Sequence, residues 1–507
     1  MRDDALVALS AIELRAAIGR RALSPVELLD ACIARIEAID PAVNAIAARD
    51  FERARAAARA AEAAVMRGDA LPPLHGLPLG VKDLLDTEGL LSTSGNVGLR
   101  DHVPARDNSL VAALRAAGAI VVAKTNVPDM GAGANTRNPV WGATGNPFDP
   151  RLNAGGSSGG SAAALATDML PLCTGSDTGG SLRIPAALCG VVGLRPSPGL
   201  VANRSRPLGW SAISVLGPMG RDVADTAFML SACVGLDTHD ALSYPAEAAP
   251  LRALPETDPS SLRVGWTEDF GWCAVDPEIR RTFRARVDAV SKLVARCEPI
   301  DLALDDPHPA FDVIRAESFV AAFAETYARA PETLGPNVRA NVELAAAVTL
   351  ADRARAHLAQ TRIAAAFADA LDRYDLILAP VTPVSPFPWT ELYATRVDGV
   401  AMRTYYEWLA LCYVVTLSTH PALSLPCGRD AHGMPFGLQV IGRLRGEVAL
   451  LSAARAFERA FAGDPALARP RPQIDALRTP RPELKSIVTH PPGSVAGSGG
   501  AGARTAV

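Results

Sequence analysis

Apolar positions along the chain follow two patterns, a helical spacing and short continuous runs. Ser24 is an N-cap residue followed by Pro25 and, at the third helical position, Glu27, and apolar side chains then recur every three or four residues up to Ile36. This pattern predicts a helix. A second Ala/Arg/Glu-rich stretch predicts another helix over residues 51–67.

Continuous apolar runs of four to seven residues predict buried strands that alternate with further helices. One run ends at Lys82, and others follow along the chain at residues 119–124, 169–175, 189–194, 263–266, 375–379, 421–426 and 436–441. Helical patterns lie between them, at about 107–117, 222–234, 276–296 and 447–462. The alternation predicts an α/β fold in which helices cover both faces of a sheet.

The same patterns divide the chain into three parts. We expect residues 1–70 to form a helical layer packed on the core, and residues 71–465 to form one large α/β domain. Residues 466–507 are rich in Pro, Gly and Arg and are expected to be partly disordered, above all from residue 489 onwards.

Composition adds a soluble, weakly acidic character to this picture. The chain has 507 residues, 49% hydrophobic and 21% charged, with a formal net charge of −4. No basic run points to nucleic acid, and no apolar run is long enough to span a membrane. The first residues lack the layout of a secretory signal, so we expect a cytoplasmic protein.

Cysteine and histidine offer no alternative centre for the chemistry. The eight cysteines are scattered without a C-x-x-C pair, which favours reduced structural thiols over a metal site or disulfides. None of the eight histidines lies in a glycine-bounded motif. The sequence therefore predicts neither a metal nor a cofactor.

Candidate chemistry is concentrated between Asn153 and Pro185, where two serine clusters are embedded in glycine. A helix-forming segment and then an apolar strand separate the clusters. The helix carries the chain roughly 15 Å away, and the strand returns it over roughly 20 Å. Ser157 and Ser181, although 24 positions apart, are therefore predicted to meet.

Two known motifs compete for this region and fit it poorly. Gly155-Gly-Ser157-Ser-Gly159, and the same pattern one residue later around Ser158, match the G-x-S-x-G elbow, but that turn must follow a strand directly. The preceding prolines make a strand improbable there. Asp177-Thr-Gly179 resembles an aspartic-protease motif, whose paired carboxylates require a second copy that the chain lacks.

Ser181 is a third candidate, as a nucleophile on a glycine turn. The backbone N–H groups of Thr178, Gly179, Gly180 and Ser181 would point into one space and stabilise an oxyanion. A base is then required, and Lys82, at the end of an apolar strand, can serve if burial lowers its pKa from about 10.4 toward 7 or 8. Ser157 would relay the proton between them.

These residues resemble the amidase signature hydrolases. The resemblance rests on Gly-Gly-Ser157-Ser-Gly-Gly-Ser, Asp-Thr-Gly-Gly-Ser181 and Gly-Val-Lys82-Asp, and covers roughly residues 10–465. It implies a single α/β domain around a large mixed sheet. It further implies an acyl-enzyme on Ser181, a bridging Ser157 in a cis peptide, Lys82 as the base and an oxyanion hole formed by residues 178–181.

The expected reaction is hydrolysis of an amide C–N bond in a small molecule, with esters and carbamates as further possible substrates. Loops that flank the motif suggest a mainly apolar substrate pocket suited to aryl or alkyl amides. Its candidate residues are Met130, Trp141, Trp210 and Ile213, with Ser158 as a supporting hydrogen-bonding group. We expect a monomer or a homodimer.

Two other functions are compatible with the same core. One is the glutaminase (A) subunit of a tRNA-dependent amidotransferase, which works inside a complex. Such subunits commonly carry Gln at the position of Ile184, so the apolar residue favours a free-standing amidase. The other is a binding module without activity, which the intact Lys82, Ser157 and Ser181 argue against.

Overall fold

A computed structural model describes residues 3–493 of the chain. Fifteen α-helices lie within this range. In chain order, α1 to α15 are Asp3–Val7, Ala11–Gly19, Pro25–Val43, Phe51–Arg67, Ser109–Ala116, Gly159–Ala166, Arg183–Cys189, Val223–Ser231, Ala249–Arg252, Pro277–Ser291, His308–Arg329, Pro336–Ala345, Leu350–Arg373, Ala410–Ser418 and Glu447–Phe461.

One sheet of eleven strands runs through the whole molecule. In chain order, β1 to β11 are Ile46–Arg49, Pro78–Lys82, Ile120–Thr125, Leu172–Asp177, Val192–Arg195, Val215–Gly220, Arg263–Trp266, Arg296–Pro299, Leu376–Pro380, Ala422–Arg429 and Pro435–Ile441. Three short two-stranded pairs lie outside this sheet: 137–138 with 142–143, 145–146 with 149–153, and 396–397 with 400–401.

The spatial order of the strands is β1-β3-β2-β4-β6-β5-β10-β11-β9-β7-β8. Strand β2 is parallel to both β3 and β4, and β7 is parallel to both β8 and β9, whereas the other neighbours are antiparallel. The sheet is therefore mixed. This confirms the predicted α/β class and the large mixed sheet that the family resemblance implies.

Helices cover the sheet on both faces. Leu172 and Cys173 are successive residues of β4, and they belong to two different clusters of buried apolar side chains. Because successive residues of a strand point to opposite faces, the two clusters lie on opposite sides of the sheet. Helix α6 belongs to the smaller cluster, and α8, α14 and α15 belong to the larger.

The two ends of the chain differ from the sequence-based expectation. Residues 1–70 are not only a helical layer, because Ile46–Arg49 pairs with Ile120–Thr125 as the edge strand of the sheet. The segment following residue 465 is packed on the body: Leu477 and Leu484 are buried, and Arg471 forms an ion pair with buried Asp168. The predicted disorder at 494–507 lies outside the described residues.

Within residues 3–493, no helix combines the length and the apolar character needed to cross a membrane. Each of the eight cysteines is a free thiol, and seven of them are buried. Burial raises the pKa of these thiols; that of Cys412, for example, is raised to about 12. They are packing groups rather than nucleophiles.

Candidate active site

Lys82 ends β2, and its amine lies in a cluster of three hydroxyl groups. Lys82 Nζ is 2.7 Å from Ser157 Oγ, 2.8 Å from Ser158 Oγ and 2.9 Å from Ser176 Oγ. The side chain is fully buried. Its backbone N–H donates to Thr174 Oγ1 on the adjacent β4 at 2.8 Å, which fixes the end of the strand beside the serines.

Burial lowers the pKa of Lys82 to about 7, against a partial opposing effect of the negative charge on Asp177. Desolvation disfavours the charged amine, and the surrounding hydroxyls provide no compensating negative charge. A large share of the Lys82 amines is therefore neutral near pH 7. A neutral amine can accept the proton of a serine hydroxyl, as a general base must.

The turn from Gly155 to Ser158 brings the first serine cluster to this amine. Its peptide bond Gly156–Ser157 is cis, and Ser158 is the N-cap residue of α6. Helix α6 then leads away and β4 returns, as the sequence pattern predicts. The return is close: the N–H of Ser158 donates to the carbonyl oxygen of Ser181 at 3.3 Å.

Ser181 and Ser157 both line one cavity of about 220 Å³, together with Ser176, Thr178 and Gly179. Ser181 is partly exposed, whereas Ser157 is buried. Within the described chain no direct hydrogen bond joins the two hydroxyls. The structure therefore gives a Lys–Ser pair in contact and a second serine on the wall of the same cavity.

Asp177, at the end of β4, holds the Ser181 turn in shape. Its carboxylate accepts hydrogen bonds from the N–H groups of Gly180 and Leu182, at 2.9 and 3.2 Å. Arg183 approaches it with two nitrogens, at 2.9 and 3.0 Å, and Arg195 approaches at 3.3 Å. Burial alone would raise the pKa of Asp177, but the two guanidinium groups and these donors hold it well below its usual range.

These contacts also decide which backbone donors remain for an oxyanion. The N–H of Gly180 is engaged by Asp177, and Gly180 does not line the cavity. The prediction that Gly180 contributes a donor is therefore not supported. Thr178, Gly179 and Ser181 do line the cavity, and within the described chain their N–H groups have no other acceptor.

The predicted substrate residues are dispersed in the structure. Met130 lines the cavity, in a left-handed backbone conformation with φ 48°. Ser158 is buried against Lys82 rather than facing the cavity. Three others lie elsewhere: the indole of Trp141 donates to Thr93 Oγ1 at 2.8 Å, Trp210 is 81% exposed, and Ile213 is a core residue.

The sequence-based reasoning missed most of the wall. Besides the predicted Met130, its apolar side chains come from four other parts of the chain: Leu84, Pro207, Leu208, Phe319, Ala322, Phe323 and Leu409. Ser176, Arg206 and Arg315 contribute polar groups. Ser176 could have been found, because it is one residue before Asp177 on the strand that ends at the motif. The residues from α11 carry no local signal of their role.

Sequence comparison places the chain among amidases. The protein-family model named Amidase matches residues 27–451. A curated relative from Roseiflexus sp. (strain RS-1), the A subunit of glutamyl-tRNA(Gln) amidotransferase, is 35% identical over 476 residues, which covers 88% of this chain and 95% of the relative.

Solved structures agree with this placement. A bacterial aryl acylamidase of the amidase signature enzymes superposes with a TM-score of 0.85 at 27% identity, covering 94% of this chain and 99% of that one. The A subunit of the Thermotoga maritima glutamyl-tRNA(Gln) amidotransferase superposes with a TM-score of 0.71 at 26% identity, covering 92% of this chain and 98% of that one. The chain belongs to the amidase signature family and is a hydrolase acting on amide C–N bonds.

Proposed function

We propose that the chain is a free-standing amidase that cleaves small aryl or alkyl amides through an acyl-enzyme on Ser181. The observation that supports this most strongly is the buried Lys82 amine, in contact with Ser157 and next to the cavity that Ser181 lines. Such a site can activate a serine without a histidine. We place the enzyme in the cytoplasm, acting as a monomer or a homodimer.

The proposed reaction has two halves. As Ser181 Oγ forms a bond to the substrate carbonyl carbon, its proton passes to Ser157 Oγ, and the Ser157 proton passes to neutral Lys82 Nζ. The carbonyl oxygen becomes an oxyanion facing the N–H groups of residues 178, 179 and 181. When the C–N bond breaks, the same relay returns the proton to the leaving amine. Water then attacks the ester and the relay repeats.

The composition of the cavity supports an acyl or aryl substrate rather than an amino acid. Eight of its lining residues have apolar side chains, and no carboxylate of residues 3–493 lines it. An α-ammonium group such as that of glutamine would therefore have no negatively charged partner there. Desolvating an ammonium group without a negatively charged partner is costly, so these walls disfavour an amino-acid substrate.

A panel of p-nitroanilides, primary amides, esters and carbamates tests this proposal. We expect the purified chain alone to hydrolyse at least one anilide. The Ser181→Ala variant should lose about 10³-fold or more in kcat/KM. A Ser291→Ala variant is the matched control, because this exposed serine at the end of α10 hydrogen bonds to the Asp288 carbonyl at 2.8 Å and does not line the cavity. Equal rates for wild type and Ser181→Ala would overturn the proposal.

The second candidate is a glutaminase subunit of a tRNA-dependent amidotransferase. The curated relative at 35% identity carries that name, and this comparison favours the second candidate over the first. The cavity and Ile184 favour the first. Hydrolysis of glutamine distinguishes the two candidates. A glutaminase subunit would hydrolyse glutamine when a second subunit is bound. The proposed amidase would hydrolyse anilides without any partner and would hydrolyse glutamine poorly.

A further inference from the structure

Arg315, on α11, is a buried cation in the wall of the catalytic cavity. It is 6% exposed and lines the same cavity as Ser181. Its Nε donates to Asn341 Oδ1 at 3.1 Å and its Nη2 donates to Tyr405 Oη at 2.5 Å. Within the described chain its Nη1 has no hydrogen-bond acceptor.

Aromatic rings surround this guanidinium group. Its central carbon lies 4.7 Å from the ring centroid of Phe319, 5.1 Å from that of Tyr406, 5.5 Å from that of Tyr405 and 5.9 Å from that of Phe311. Ring faces attract a cation, but they do not neutralise it. The rings pack around the side chain and restrict its position.

Arg315 differs from the other buried arginines in having no carboxylate partner. Six arginines in the described chain are less than one-tenth exposed. Five of them lie within 4.0 Å of a carboxylate oxygen: Arg35 with Asp4, Arg183 and Arg195 with Asp177, Arg206 with Asp240, and Arg221 with Asp168. The nearby Asp312 is engaged by Tyr406 and Arg403 instead.

A buried guanidinium group without a counterion is costly, and a protein that retains one commonly uses it for binding. A carboxylate matches its planar donors and would remove this cost on entering the cavity. The same cavity has no carboxylate for an ammonium group. An anionic ligand is therefore favoured over both a cationic and a zwitterionic one.

We propose that Arg315 binds a carboxylate of the substrate, so that the enzyme acts on monoamides of short dicarboxylic acids. This inference rests on the proposed amidase function. The cavity of about 220 Å³ limits the acyl group to a few carbons. The apolar side chains contact the methylene groups, Arg315 binds the carboxylate, and Ser181 attacks the amide carbonyl at the other end of the acyl chain.

Matched p-nitroanilides test the proposal with the wild-type enzyme. The anionic series is the succinyl, glutaryl and adipyl anilides, and each has a neutral counterpart with a methyl group in place of the carboxylate. The γ-glutamyl anilide differs from the glutaryl compound only by its ammonium group. We expect the best anionic anilide to exceed its neutral counterpart at least about tenfold in kcat/KM, and glutaryl to exceed γ-glutamyl similarly.

In the Arg315→Gln variant, the ratio of kcat/KM for the anionic anilide to that for the neutral anilide should fall to about one. The main cause should be a higher KM for the anionic anilide. The Arg315→Lys variant keeps the positive charge and should restore part of this ratio. The control is Arg353→Gln, which removes an equal charge from a half-exposed ion pair with Glu317, two residues from Arg315. It should leave the ratio unchanged. Thermal unfolding and labelling of Ser181 check that the variants are folded.

Each outcome has a distinct meaning. If the wild type hydrolyses none of these anilides and no amide of the panel described above, the amidase proposal fails. If it hydrolyses other amides but none of these anilides, only the inference about Arg315 fails. If it hydrolyses anionic and neutral anilides equally at every chain length, or prefers γ-glutamyl over glutaryl, only the inference about Arg315 fails. An anionic preference that persists in Arg315→Gln would overturn the assignment of this residue.

Discussion

The buried amine of Lys82 is the residue on which the proposed chemistry depends. In water a lysine is protonated at neutral pH and cannot accept a proton. Here burial lowers the pKa of Lys82 to about 7, although the negative charge of Asp177 opposes the shift. We propose that the fold uses the free energy of desolvation to make Lys82 a base, in direct contact with Ser157.

A pH profile follows from this pKa. Because the neutral amine is the active form, kcat/KM should be low at acidic pH, rise with a midpoint near pH 7 and level off above about pH 8. Measurement between pH 5.5 and 9 with a neutral anilide checks it. A Lys82→Ala variant should lose about 10²–10⁴-fold at pH 8 and lose the inflection. A flat profile, or a variant close to wild type, would contradict the assignment of the base.

Residue by residue, the sequence was most informative where a glycine-rich motif carries the chemistry. Ser157, Ser181 and Lys82 stand in such motifs, and the structure brings all three to one place. The assignment of Gly180 to the oxyanion hole is not supported, because a motif does not reveal which N–H the Asp177 side chain engages. Arg315 and Phe319 lie on an ordinary amphipathic helix, more than 120 residues beyond Ser181, so only the tertiary structure could identify them.

Among the elements, α6 packs so closely against its neighbours that one of its glycines has no room for a side chain. All eight of its residues, Gly159 to Ala166, are buried, and its first turn lies against the backbone next to β1 and β3. A Cβ added at Gly160 would lie 2.2 Å from the Asn126 nitrogen and 2.5 Å from the Ala45 oxygen. Only a residue without a side chain allows this helix to hold Ser157 and Ser158 against Lys82.

The Gly160→Ala variant should therefore destabilise the chain by about 3 kcal/mol or more, because a backbone has to move to admit the methyl group. The midpoint of urea unfolding measures the effect. Gly463→Ala is the matched control, since its added Cβ would meet only the Ala460 oxygen, at 4.0 Å. We expect that change to stay within about 0.5 kcal/mol. Equal midpoints for the two variants would show that the α6 contact is less restrictive than described.

The elements that the sequence predicted share clear local signals. Helix α3 has an N-cap serine and apolar residues at helical spacing. Strand β7, Arg263–Trp266, is a short run whose two central residues are buried in the sheet. The missed elements lack such signals. Strand β8, Arg296–Pro299, is polar and partly exposed at the sheet edge, and α14 is a fully buried helix whose continuous apolar run has no helical period.

At the scale of the whole molecule, both ends of the described chain pack against the body. Beyond residue 465, Leu477 and Leu484 are buried, the backbone N–H of Arg481 donates to the Pro41 carbonyl at 2.9 Å, and Arg471 joins Arg221 on buried Asp168. Composition predicted a loosely attached tail because Pro, Gly and Arg are common there. These contacts attach residues 466–493 to the body in spite of that composition.

A variant that ends at residue 465 should be less stable by more than about 3 kcal/mol, since each buried leucine contributes about 1.5–3 kcal/mol and Asp168 loses one of its two arginines. A variant that ends at Gly493 keeps every contact described here and is the control. Thermal and urea unfolding compare the two. If the two variants had the same unfolding midpoint, the packing described for residues 466–493 would be contradicted.

The most direct test of the central claim is to find which serine forms a covalent adduct. A fluorophosphonate reacts with an activated serine. Digestion of the labelled protein on the amino side of aspartate residues cuts before Asp168 and Asp177. Ser181 then lies on a different peptide from Ser157, Ser158 and Ser176. Mass spectrometry should find one adduct, on Ser181, absent in Ser181→Ala and strongly reduced in Lys82→Ala. An adduct on Ser157, or equal labelling of wild type and Ser181→Ala, would contradict the account.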